Sequence, residues 1–124
     1  MIIIYHNPRC SKSRETLALV EDISATRGLD LSVVDYQKTP LTLAQLRDLR
    51  QQLHLPVSAM LRTNEDDYTA LNLAHADETQ LLAALASHPK LLQRPVVSYR
   101  GNAAIGRPPE LVLSLFQEQT KVIT

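Results

Sequence analysis

Cysteine is almost missing from this sequence: Cys10 is its single thiol. One cysteine closes no internal disulfide, and one cysteine with four scattered histidines has no zinc-ligand spacing, so no bound metal is expected. Net charge is missing too. Thirteen basic residues balance thirteen acidic ones, which leaves no overall field to recruit nucleic acid or an anionic membrane. No apolar run approaches the roughly 20 residues of a membrane-spanning helix. The apolar start Met1-Ile2-Ile3-Ile4 lacks the basic flank and the length of a signal peptide. Repeats, low-complexity tracts and linkers are absent as well. These residues describe a soluble cytoplasmic protein, one domain over residues 1–124, long enough for an ordinary core.

What is present concentrates at the start. Ile2-Ile3-Ile4-Tyr5 reads as a buried strand, and Asn7-Pro8 ends it, because proline donates no backbone hydrogen bond and restricts its predecessor. Cys10 follows, and a helix is predicted from Ser11 to Arg27 with Leu17, Val20 and Ile23 on its apolar face. A cysteine between a strand and a helix lies where unpaired N–H groups and the positive end of the helix dipole favour a thiolate. Its pKa is therefore expected below the model value of about 8.5. Ser13 is placed to turn its hydroxyl toward the sulfur, and a protonated His6 adds positive charge. A lone cysteine is commonly inert packing. Here polar Asn7, Arg9, Ser11, Lys12 and Ser13 surround it, which is not the composition of a core.

Gly28 is placed to end the first helix in a left-handed cap, and a second strand is predicted over Leu31–Asp35. Strand, helix and strand within about 35 residues make a right-handed βαβ unit with parallel strands. Thr42 and Gln45 form a capping box before the stripe Leu43, Leu46, Leu49 and Leu53, and that helix stops before Pro56. From Val57 to Leu92 only short helical pieces are expected. Ser58 caps a turn through Arg62, Asn64 opens a piece toward Leu71, and Asp77 with Gln80 caps a helix carrying Leu81, Leu82 and Leu85. Val96–Tyr99 and Ala103–Ile105 read as a hairpin around Gly101. Gly106 frees the backbone, and Pro108-Pro109 opens a last amphipathic helix with Leu111, Val112, Leu115 and Phe116.

The stretch His6-Asn7-Pro8-Arg9-Cys10-Ser11-Lys12-Ser13-Arg14 resembles the active-site signature of the glutaredoxin-linked arsenate reductases and their short relatives, in the Spx/arsenate reductase superfamily. The likeness continues in Met60-Leu61-Arg62-Thr63-Asn64, in Leu92-Gln93-Arg94-Pro95-Val96-Val97 and in Ile105-Gly106-Arg107-Pro108-Pro109-Glu110, in the family's order. The resemblance implies an α/β, thioredoxin-like fold: a four-stranded mixed sheet with a helical insert over about residues 57–92. It maps Arg62, Arg94 and Arg107 onto oxyanion-binding arginines, whose planar forks suit tetrahedral anions. It gives His6 a role in lowering the Cys10 pKa and makes Pro95 a cis proline facing the cysteine. Arg9, Lys12 and Arg14 remain solvent-facing or secondary.

Arithmetic constrains the chemistry. Reducing pentavalent arsenic takes two electrons, the yield of oxidising two thiols to a disulfide. This chain has one thiol, and Ser13 stands where Cys-x-x-Cys proteins carry their second cysteine. By resemblance, Cys10 attacks arsenate, glutathione serves as reducing co-substrate, glutaredoxin regenerates the enzyme, and no cofactor is bound. Two other readings stay open: a glutathione-dependent thiol oxidoreductase with a different substrate, and a non-enzymatic partner of the transcription machinery, as in Spx-type regulators.

Overall fold

β1 (Ile2–His6) occupies an inner position of a four-stranded sheet ordered β2-β1-β3-β4, in a computed structural model that describes residues 1–117. It pairs in parallel with β2 (Leu31–Asp35), from Ile2 opposite Leu31 to His6 opposite Asp35. On its other side it pairs antiparallel with β3 (Val96–Tyr99), which in turn pairs antiparallel with the edge strand β4 (Asn102–Ile105). Arg100 and Gly101 join the hairpin at φ of 53° and 78°. Positive φ at both central residues matches the right-handed twist of the flanking strands. The fold is thioredoxin-like.

α1 (Ser11–Arg27) ends as its sequence requires: Gly28, at φ 65°, donates its N–H to the Ser24 carbonyl. Its buried face differs from the expected one. Ser13, Thr16 and Val20 are fully buried, while Leu17 and Ile23 are half-buried along the side. The spacing is helical, but the half nearest Cys10 is polar. α2 (Leu43–Leu53) opens on the Thr42–Gln45 capping box and buries Leu46, Leu49 and Leu53.

The segment 57–92 holds short helical turns, α3 (Asp66–Ala70) and α4 (Glu78–Ser87). Two starts are corrected. Pro56, not Ser58, precedes the 3-10 turn Val57–Met60, and Glu65, not Asn64, precedes α3. The Asp77–Gln80 box caps α4. Leu61 and Leu92 form an isolated antiparallel bridge, with Arg62 N–H donating to Leu91 at 2.7 Å and Gln93 N–H to Met60 at 2.7 Å. That tie closes the insert and sets Arg62 beside the approach to β3. The last element, Pro109–Phe116, is a run of 3-10 turns rather than an α-helix, burying Pro109, Val112 and Phe116. The Arg94–Pro95 bond is cis, and so is Arg107–Pro108.

Apolar side chains cover both faces of the sheet. Ile2, Ile4, Val20, Val97, Val112 and Phe116 form one cluster, between the sheet, α1 and the last turns. Tyr36, Leu46, Leu49, Leu61, Leu91 and Val96 belong to the other, under α2 and the insert. Among the described residues no helix is long and apolar enough to cross a membrane.

Candidate active site

Asn7 and Pro8 end β1 and turn the chain onto α1. The Cys10 N–H donates to the Asn7 carbonyl at 3.0 Å, and the Asn7 side chain accepts from the Arg9 N–H at 3.0 Å. An asparagine supplying its own turn acceptor is the usual chemistry of such a corner. Cys10 thereby becomes the N-cap residue of α1, in an extended conformation, and it is partly exposed.

An N-cap side chain ordinarily accepts from the N–H groups two and three residues on. Here that side chain is a sulfur; it closes no capping hydrogen bond of normal geometry, yet the Lys12 and Ser13 N–H groups lie near enough to bear on its charge. Burial pushes the thiol pKa up. The Ser13 N–H, the charge and donor group of Arg94 and the Lys12 N–H outweigh it, so the thiol lies below its usual range.

The Ser13 hydroxyl, expected to turn toward the sulfur, is engaged by His6 and the Asn7 backbone instead. His6 Nδ1 and Ser13 Oγ stand 2.7 Å apart, both buried, and the Asn7 N–H donates to the same oxygen at 3.0 Å. Burial is the main influence on the ring and lowers its pKa, with Arg14 adding to that and Asp35 and Glu21 opposing. The charge expected from a protonated His6 is therefore disfavoured. The structure offers another route: the ring pins Ser13, and the backbone N–H of Ser13 favours the thiolate.

The three arginines come from separate elements. Arg107 places Nη1 4.0 Å from Cys10 Sγ and donates to the Arg94 carbonyl at 3.3 Å. Arg94 bears on the sulfur directly, and its Nε is buried with no partner among the described residues. Arg62 is held differently, with Nη1 paired to the Glu65 carboxylate. Lys12 pairs with Glu15, and Arg14 donates to the Pro8 carbonyl, both at the surface.

Gly106 fastens these pieces. Its N–H donates to the Pro95 carbonyl at 2.9 Å, and its carbonyl accepts from Thr16 Oγ1 at 3.3 Å. A Cβ there would meet Thr16 Oγ1 at 2.7 Å and Pro95 Cγ at 3.0 Å. Sequence reasoning assigned this glycine to backbone freedom, but its φ is ordinary and the requirement is space. Glu65 and Tyr36 also escaped that reasoning. Glu65 had one available signal, its position three residues after Arg62.

Fold and constellation together define a class: a thioredoxin-like protein with one thiol at a helix N-terminus and guanidinium groups beside it. The ArsC family model matches residues 5–115, and this chain belongs to that family. It is 46% identical over 112 residues to an arsenate reductase of Neisseria meningitidis serogroup A, covering 88% of this chain and 92% of that one. The uncharacterised Escherichia coli K12 protein YfgD is 47% identical over 115 residues, covering 90% and 93%. Among solved structures, an arsenate reductase from Vibrio cholerae is 47% identical, with a TM-score of 0.85, covering 92% of this chain and 96% of that one.

Proposed function

We propose that the protein reduces arsenate to arsenite, with Cys10 as nucleophile and Arg62, Arg94 and Arg107 as the oxyanion cradle. The observation that carries this reading is Arg107 Nη1 4.0 Å from a sulfur that sits at the α1 N-terminus and is held below the usual thiol range. The same cations that favour the thiolate would receive the anion, and the helix N-terminus adds backbone donors.

In the first step the Cys10 thiolate attacks arsenic, an S–As bond forms and an oxygen leaves as water. The adduct is still pentavalent. An external thiolate, glutathione, then attacks the Cys10 sulfur. The S–S bond forms as the S–As bond breaks with its electron pair on arsenic, which leaves as trivalent arsenite. The enzyme remains as a Cys10–glutathione disulfide, which a glutaredoxin dithiol reduces by exchange. An external reductant is required because Cys10 is the single thiol. A groove lined by Leu53, Leu55, Gln93, Ile105 and Arg107 shares Arg107 with the site.

Steady-state turnover with arsenate, glutathione and glutaredoxin tests the reading. Turnover that disappears in Cys10→Ser and needs the external thiol is the expected result. A parent protein that binds arsenate but never releases arsenite would leave an oxyanion-binding protein and remove the reductase assignment.

A further inference from the structure

Tyr36 follows the last residue of β2, whose Asp35 lies opposite His6 in register. Its side chain is therefore carried to the end of the sheet where Cys10 begins α1. The ring belongs to the leucine core, and the residue is 1% exposed. Its hydroxyl, although buried, closes no hydrogen bond of normal geometry among the described residues; the Gln37 side chain is the one neutral group that bears on it, short of a formed bond. A buried phenol normally finds a partner, because an unpaired one forfeits its hydration and gains nothing. The groups whose charges bear on this hydroxyl are Arg94, Arg62 and Cys10, which are three of the groups assigned above to the anion. Arg94 Nε is a second buried donor with no acceptor.

Two buried donors without an acceptor, one of them just past the strand end that lies beside His6, call for an acceptor that arrives with the substrate. We propose that the Tyr36 hydroxyl is a further donor to the oxyanion over Cys10, an assignment that rests on the oxyanion-site reading above. Burial is the largest influence on the phenol and raises its pKa, so it stays protonated and offers a hydrogen throughout the neutral range. The hydroxyl supplies a hydrogen bond without adding charge. It distinguishes an oxyanion, which can accept, from an apolar electrophile at the same sulfur.

Tyr36→Phe keeps the ring that fills the core and removes only the oxygen. Three measurements on the full chain decide the matter: thermal midpoint without ligand, arsenate and sulfate affinity by titration calorimetry, and the pH midpoint of Cys10 alkylation. The expected variant has an equal or higher thermal midpoint, because an unpartnered hydroxyl is gone. Its oxyanion affinity falls about tenfold or more, the range for a hydrogen bond to a charged group. Its alkylation midpoint is unchanged. A lower thermal midpoint would show the hydroxyl to be structural, and a raised alkylation midpoint would assign it to the thiolate. Either overturns the proposal, as does parental affinity in the variant. If the parent binds neither anion, the oxyanion-site reading itself falls and this assignment falls with it.

Discussion

Leu46, Leu49, Leu91 and Leu92 under the insert are buried, and so are His6, Asn7, Ser13 and Thr16 at the head of α1. The first group is held by apolar packing, which has no direction and adapts by small repacking. In the second group the buried hydroxyls have named partners: Ser13 with His6 and the Asn7 N–H, Thr16 with the Lys12 and Gly106 carbonyls. A directional network fixes positions more tightly than it adds stability, since a typical internal hydrogen bond contributes about 1 kcal/mol net. The comparison teaches a division of labour. The leucines supply stability to the fold, and the polar head supplies geometry to the sulfur.

Four measurements break or sharpen that comparison. The largest effect belongs to the leucine side. Leu91→Ala, at a fully buried position, is expected to lose about 2–5 kcal/mol of stability by denaturant titration. Its Cys10 alkylation midpoint should stay where it was; a shift would mean the two regions are coupled. Arg94→Ala is the converse. It should raise the alkylation midpoint and weaken oxyanion binding roughly ten- to over a hundredfold, corresponding to ~1.5–3 kcal/mol. Its thermal midpoint should barely move. Arg94→Lys should recover only part of the binding, since an ammonium keeps the charge and loses the fork.

Gly106→Ala tests the junction between the two regions. The new methyl group meets Thr16 and Pro95, and such overpacking costs about 1–3 kcal/mol. Here stability and turnover should fall together, because the collision displaces the segment that carries Arg107. Turnover at the parental rate would show that the Arg107 position tolerates this shift.

The smallest effect is the pH dependence of His6. Its folded-state pKa lies below the unfolded value, so in acid the unfolded chain binds the proton more readily. Stability contributed by the neutral ring is present above about pH 6.5 and declines as pH falls through that value. Denaturant midpoints for the parent should drop from pH 7.5 to pH 5.5 by more than those of His6→Gln. Equal slopes would mean the ring titrates alike in both states.

Legibility in the sequence follows the same division. Elements governed by local rules were readable: both capping boxes, the Gly28 cap, the βαβ unit and the Arg100-Gly101 hairpin all depend on residues a few positions apart. Cys10 stood out through its place between a strand and a helix, and the three arginines through a resemblance between motifs. Features that depend on distant contacts were not readable. The α1 face carries Ser13 and Thr16 inward because Gly106, far along the chain, supplies the acceptor for Thr16. Pro109–Phe116 looks helical by spacing, yet it is drawn into 3-10 turns where its apolar residues pack on the sheet. The pairing of Arg62 with Glu65 and the empty-handed Tyr36 hydroxyl are likewise facts of three-dimensional placement.

The sheet order has a consequence in time. β1 has its parallel neighbour within about 35 residues, but its other edge stays open until β3 is made at Val96–Tyr99. Cys10 and Arg107 lie 97 positions apart, which at ribosomal speeds is roughly 5 to 20 s of synthesis. During that interval the helix start and the Lys12 and Ser13 N–H groups bear on the sulfur without Arg107 beside it. The contact between Arg107 and the sulfur forms only once the hairpin of β3 and β4 has docked.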